Sequence, residues 1–271
     1  MRAPGSSANI GPGFDVLGVA VSRYVWAADS PTGEACSGPC GPDHIARIAF
    51  EEAGGKGDIW FGFELEPGRG LGFSAAARAA GAVLAGLCDG ADLETAKERA
   101  YPVVADIEGH GDNAAPSVYG GIHLIAGDHN HRLATQFPGR LLWWMPQLET
   151  ETDASRLELP ANVPRSDAVF NIGRLGLLVA ALYEGDLTLL RRATEDRLHQ
   201  PQRLAQCEVA QKAIQAALDS GAAAAWLSGS GPTVGIVTAD DHVESVIAAL
   251  PPVGRVLDLP VDEVGSIITD R

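Results

Sequence analysis

Three glycines within five residues, Gly68, Gly70 and Gly72 of Pro67-Gly68-Arg69-Gly70-Leu71-Gly72-Phe73-Ser74-Ala75, mark the stretch of this 271-residue chain with the clearest chemical use. Without Cβ atoms the backbone can lie close to a ligand, and the free amides and positive end of a following helix suit a phosphate. The stretch is not a Walker loop, which needs Lys-Ser/Thr after its last glycine, and it lacks the G-x-G-x-x-G spacing of dinucleotide-binding turns. Read alone, it also fits an ordinary strand-loop-helix turn. A second polar group, Glu108-Gly109-His110-Gly111-Asp112-Asn113, offers Glu108 to Mg²⁺, a hard ion that takes carboxylate and phosphate oxygens. The plainer account is solvated acids at a helix end with His110 as a surface imidazole; function is expected for Glu108 and the surface role for His110. Asn9 and Asp15 bracket Gly11-Pro12-Gly13 and can converge on one small polar ligand, although each singly also suits a turn. Arg203, after Gln200-Pro201-Gln202, either neutralises a helix end or binds an anion. Ser228-Gly229-Ser230-Gly231-Pro232 joins two short β-runs and by itself reads as a plain turn.

The elements that must hold these groups follow from periodicity. Residues 60–66 alternate as a strand, with Phe61, Phe63 and Leu65 on one face. Residues 75–87 are apolar nearly all round, which predicts a buried helix with Ser74 as its N-cap. Helices are expected over 43–53, 92–107 (with Pro102 as a kink), 170–183, 186–198 and 209–218, and strands over 19–26, 122–126 and 141–145. Residues 127–140 are polar and turn-rich, His129 and His131 read as solvated, and a domain boundary falls near residue 137. The segment after residue 237, broken by Pro251, Pro252 and Pro260, carries no assignment.

A content of 46% hydrophobic residues can bury a sizeable core, and the length fits one large domain or two smaller ones, two being preferred. A net charge of −15 argues against a nucleic-acid or anionic-membrane partner, both of which need a cationic face. Lysine occurs only at 56, 97 and 212, so positive charge is mostly arginine, which suits fixed contacts to carboxylate or phosphate; biased composition explains it better. Cysteines at 36, 40, 88 and 207 make no disulfide framework, and Cys36-Ser-Gly-Pro-Cys40 lacks a second ligand pair for a metal. With no leader-like apolar core at the N-terminus and no run of about 18 apolar residues, a cytoplasmic location is expected.

Ser6-Ser7-Ala8-Asn9-Ile10-Gly11-Pro12-Gly13-Phe14-Asp15, Gly70-Leu71-Gly72-Phe73-Ser74 and Ser228-Gly229-Ser230-Gly231-Pro232-Thr233 together resemble the three ordered motifs of the GHMP kinase superfamily. The 108–113 cluster, with Gly120-Gly121 behind it, is most similar to the homoserine kinases of that superfamily. The resemblance covers essentially the whole chain. It implies an α+β fold of two domains: a ribosomal-protein-S5-domain-2-like N-terminal domain over residues 1–137, with the phosphate loop, and a ferredoxin-like C-terminal domain over 138–271. The site would lie in the cleft between them. It further implies ATP-dependent phosphorylation of the hydroxyl of L-homoserine in threonine synthesis, by a cytoplasmic homodimer. Carried over motif by motif, residues 67–75 would wrap the ATP phosphates, Ser74 and Glu108 would hold Mg²⁺, and Ser228, Gly229, Ser230 and Gly231 would form the third motif. Asn9, Asp15, Asp112 and Asn113 would surround the amino acid, with Arg156 and Arg203 on its carboxylate. No general base is implied; Asn9 and Glu108 would orient hydroxyl and metal. Phe73 stands where family loops carry a serine, the segment between the first two motifs is short, and Asp43-His44-Ile45 replaces the usual Asn-Leu-Val. A kinase of another small hydroxy acid, or a non-catalytic ligand-binding homologue, are the alternatives.

Overall fold

The computed structural model describes residues 1–31, 36, 38–147 and 159–269. Its first sheet is built on β1 (Arg2–Ala8) and the long β2 (Leu17–Ala28), an antiparallel pair. Around β2 the order runs β3 (Gly38–Pro39), β4 (Trp60–Phe63), β2, β5 (Ile122–Ala126), β6 (His129–Ala134). β6 lies in the stretch expected to be irregular: none of its side chains is buried and most are polar, as edge strands tolerate, so no hydrophobic alternation marked it. β4 is shorter than expected, and Phe63 is 56% exposed although Leu65 beyond it is buried.

Three helices cover this sheet: α1 (Ile45–Glu52), α2 (Phe73–Cys88) and α3 (Leu93–Glu108). Alanines and glycines let α2 sit close to everything around it; a Cβ on Gly81 would lie 2.0 Å from the Ala46 carbonyl oxygen of α1. Asp92 caps α3 by accepting from Thr95 N at 2.9 Å, and Gly109 in left-handed conformation ends it immediately after Glu108. The short α4 (Ala114–Tyr119) follows.

The second sheet has the order β10 (Gly254–Asp258), β7 (Arg140–Pro146), β9 (Val234–Thr238), β8 (Ala224–Leu227), all antiparallel. β7 alternates between two cores. Leu142 and Trp144 pack under α8 (Glu208–Asp219) and α9 (Val243–Ala249), whereas Leu141, Trp143 and Met145 join the core of the first sheet. Trp143 and Trp226 meet edge to face at 5.9 Å in that shared core. Helix α5 (Arg165–Glu184) ends at left-handed Gly185, as its sequence indicates. The helix expected over 186–198 is instead a 3₁₀ turn (Leu187–Leu189) and the four-residue α6 (Leu190–Ala193), with α7 (Gln200–Leu204) separate. Asp196 breaks the run: its carboxylate accepts from the N–H groups of Leu198, His199 and Gln200 at 3.0, 3.0 and 2.7 Å, offering the backbone an alternative to the helix. Beyond β10 the chain returns to the first sheet, where Arg2 and Ile267 exchange backbone hydrogen bonds of 2.8 and 2.9 Å.

Candidate functional site

The glycine loop is shaped by its contacts on either side. Gly70 and Gly72 take φ of +79° and +66°, a region that side chains strain to enter. Space is denied them as well, since a Cβ on Gly72 would sit 2.1 Å from Ser6 Oγ and one on Gly70 2.5 Å from the Ser228 carbonyl oxygen. Leu71, buried between them, accepts from Ser6 N at 3.0 Å. The first and third motifs therefore form the two walls against which the loop is pressed. Ser228 Oγ donates to the Gly70 carbonyl at 2.5 Å and lies 2.7 Å from Ser7 Oγ, while Gly229 N donates to Ala8 O at 3.0 Å. Ser230 is exposed at the tip of that turn, and Pro67 and Gly68 are exposed at the mouth of the loop.

Ser74 is not the N-cap of α2. Gly72 holds that position, Phe73 is already helical, and no side chain caps the end. Ser74 sits one position further in, with Ala75 buried behind it, and receives a hydrogen bond from Arg78 Nη1. The same nitrogen donates to Glu108 Oε1 at the end of α3. Ser74 and Glu108 thus meet on one guanidinium, and Arg78 is a residue that sequence reasoning did not single out. Phe73 turns toward Phe63 and Phe61, at ring distances of 5.4 and 6.1 Å, and His44 stacks obliquely on Phe61 at 4.6 Å. An aromatic cluster thereby flanks the loop.

The first-motif turn and the 108–113 cluster converge beside it. Asn9 and Asp15 both take left-handed φ, +60° and +56°, and Asn9 Oδ1 accepts from Asp15 N at 2.9 Å. The Asn9 side-chain carbonyl is thus spent on the turn, as the turn account of this residue expects. Partial desolvation, and then the charge of Asp112, push the Asp15 carboxyl above its ordinary range. Asp112 has no solvent exposure; one oxygen accepts from His110 Nδ1 at 2.6 Å, and Oδ2 has no hydrogen-bond partner among the described residues. His110 is thereby a partner of the cluster rather than a surface imidazole. The bond from Asp112 raises its pKa against the opposing effect of burial. Asn113 accepts from Ser6 Oγ at 2.9 Å, tying the cluster to β1.

The second half supplies the third side. Arg203, on α7, donates from Nη1 to the Gly229 carbonyl at 2.9 Å and lies 5.3 Å from the centre of the Phe14 ring. Its buried Nε has no hydrogen-bond partner among the described residues. Burial draws its pKa down, and Asp15, Asp196 and Asp112 oppose that by their charge. His199, fully buried, donates from Nε2 to the Gly11 carbonyl at 2.8 Å and stacks on Phe14 at 5.3 Å; Asp196 fixes the segment that carries it. Neither His199 nor Asp196 was legible as part of the site, because the partner of one lies 188 residues away and the partners of the other are backbone amides. Arg156 lies outside the described residues.

Chemically, the arrangement joins a backbone cradle for an anion, a pair of hard oxygen ligands, and a buried acid and arginine that each have a polar atom without a partner among the described residues. Such a set of groups can take a phosphorylated ligand and a zwitterion.

Comparison with known proteins shows the family to which the chain belongs. Residues 42–121 match the family model for the GHMP kinases N terminal domain, and residues 178–255 that for GHMP kinases C terminal. A homoserine kinase of Thermus thermophilus is 36% identical over 97% of this chain and 96% of its own length. That of Desulfitobacterium hafniense is 36% identical over 92% and 90%. Among solved structures, a homoserine kinase from Cytophaga hutchinsonii has a TM-score of 0.79 at 26% identity, covering 97% of this chain and 95% of that one. The mevalonate kinase of L. major in complex with R-mevalonate shares the fold, with a TM-score of 0.66 at 16% identity over 98% and 96%.

Proposed function

The chain belongs to the GHMP kinase family, and from that membership we propose that it transfers the terminal phosphoryl group of ATP to the side-chain hydroxyl of L-homoserine. It is a small-molecule kinase with an alcohol as acceptor, and its product is O-phospho-L-homoserine. The observation that carries the substrate reading is the pair of buried polar atoms, Asp112 Oδ2 and Arg203 Nε, that lack a hydrogen-bond partner among the described residues, on side chains close enough to interact by charge. Leaving such groups unmet costs about 1–3 kcal/mol each, a cost that an α-ammonium and an α-carboxylate would remove.

The residues take roles that phosphoryl transfer needs, which are positioning and neutralisation of charge rather than covalent help. Amides of residues 67–75 would hold the phosphates at the start of α2, and the aromatic cluster of Phe61, Phe63 and Phe73 would give the nucleotide base an apolar face. Ser74 Oγ and the Glu108 carboxylate are hard oxygens already drawn to one cation, a donor set that suits Mg²⁺. When bound there, the ion would neutralise charge on the phosphate oxygens. Asn9, Asp15 and Asn113 would line the acceptor, Arg203 would pair with its carboxylate, a role the family motif also gives Arg156, and Asp112 would pair with its ammonium. No side chain is assigned as general base.

Cytoplasmic threonine synthesis is the setting this activity fits. A homodimer would cover the outer face of α5, where Val169, Ile172 and Tyr183 are exposed. The deciding experiment measures ADP release with Mg-ATP against homoserine, other small hydroxy amino acids, mevalonate, pantoate and shikimate. A preference for homoserine is expected; turnover spread evenly over the panel would defeat the specificity.

A further inference from the structure

Arg78 already sits where the two metal-binding oxygens of the proposed site converge. It lies one turn beyond Ser74 on the same face of α2, and a single Nη1 donates to Ser74 Oγ and to Glu108 Oε1. The arrangement is largely out of water, with 19% of the Arg78 side chain and 11% of the Glu108 side chain exposed. Glu108 is the last residue of α3, so its carboxylate adds to the partial negative charge of the helix carbonyls, and a cation is needed there at all times. Among the described residues, the cation paired with it is Arg78.

We propose that Arg78 is a resident counter-ion that competes with the divalent cation for Ser74 and Glu108, so that metal-nucleotide loading requires the guanidinium to leave both oxygens. This rests on the reading of Ser74 and Glu108 as the metal site. A dication ligated by Glu108 Oε1 and Ser74 Oγ uses the lone pairs that Arg78 now occupies, and two like charges at that spacing repel. Because Ser74 lies in the first turn of α2, the released guanidinium is left next to the anionic tail of the nucleotide. The consequence is a divalent-cation affinity set below what the acid and the hydroxyl would give alone. In its absence Arg78 keeps the acid paired and the two helices joined.

The test is direct binding of Mn²⁺ to the full-length protein saturated with ADP, followed by electron paramagnetic resonance, for the wild type, Arg78→Met, Arg78→Lys and Glu108→Gln. Arg78→Met is expected to bind Mn²⁺ about tenfold tighter or more, because one unit of competing charge is gone. Arg78→Lys, which keeps the charge but loses the fork, is expected to fall between it and the wild type, and Glu108→Gln to bind at least about tenfold more weakly. Should Arg78→Met fail to fold, as judged by circular dichroism, Arg78→Gln makes the same measurement with a neutral donor. Unchanged or weaker Mn²⁺ binding on loss of the arginine, with Glu108→Gln impaired, overturns the counter-ion role and leaves the metal site standing. Unchanged binding in Glu108→Gln overturns the site itself.

Discussion

Asp112 is withdrawn from water, and it spends one oxygen on His110 while the other stays unmatched among the described residues. A carboxylate in that state is costly unless something cationic visits it, and removing a partner of a buried charge typically costs about 3–5 kcal/mol. Replacement of Asp112 by Asn is therefore expected to raise KM for homoserine about 100-fold or more, with the Kd of Mg-ATP within about threefold of wild type. Steady-state kinetics and calorimetry read the two separately, and an unchanged KM would take Asp112 out of the substrate site. At this scale the sequence was informative about residue type and poor about partner. Asp112, Asn113 and Arg203 could be named from motifs, but the bridge made by Arg78 depends on two helices meeting, and nothing along the chain signals it. Ser74 was misplaced as a cap for a related reason. A serine before an alanine run is a good cap by propensity, yet the contact of Gly72 with Ser6 starts the helix earlier.

Among the elements, α2 is the one whose beginning matters most. Gly72→Ala would force a side chain into a left-handed backbone and against Ser6 Oγ, two penalties that together cost about 2–4 kcal/mol. Gly90→Ala is the control, since Gly90 is also left-handed but has open space around its missing Cβ; it should cost only about 1–2 kcal/mol. Urea unfolding measures both, and equal effects would mean that the Ser6 contact is slack. The long apolar elements were readable because α2 and β7 are apolar almost throughout and α3 buries Ala96, Ala100 and Val104 at helical spacing. The edge strand β6 and the run from 186 to 198 were not. One is mostly polar, and the other is cut by the hydrogen bonds of Asp196, which compete with a helix that propensity alone would continue.

Over the whole molecule, the closing segment stabilises the first sheet. Arg2 pairs with Ile267, and Asp262, buried, accepts from Tyr24 Oη at 3.0 Å and from Gly265 N at 2.7 Å. His123 lies near this junction, buried, donating from Nε2 to the Gly120 carbonyl at 2.8 Å, and burial draws its pKa down to about 4. The unfolded chain takes up this proton near pH 6.5 and the folded one only near about 4. Stability is therefore full above about 6.5 and falls as pH drops toward about 4, by roughly 3 kcal/mol from this residue. His123→Gln should flatten that part of the curve of unfolding free energy against pH; a profile of unchanged steepness would assign the loss elsewhere. The two-domain pattern could be read from the motifs, whereas the return of residues 259–269 to the first sheet could not, because short proline-broken runs carry no period.

The bond from Ser228 to the Gly70 carbonyl joins positions 158 residues apart. The shape of the glycine loop is consequently not a property of residues 67–75 alone. A chain still emerging from the ribosome has these glycines long before it has the residue, Ser228, that holds the first of them in place.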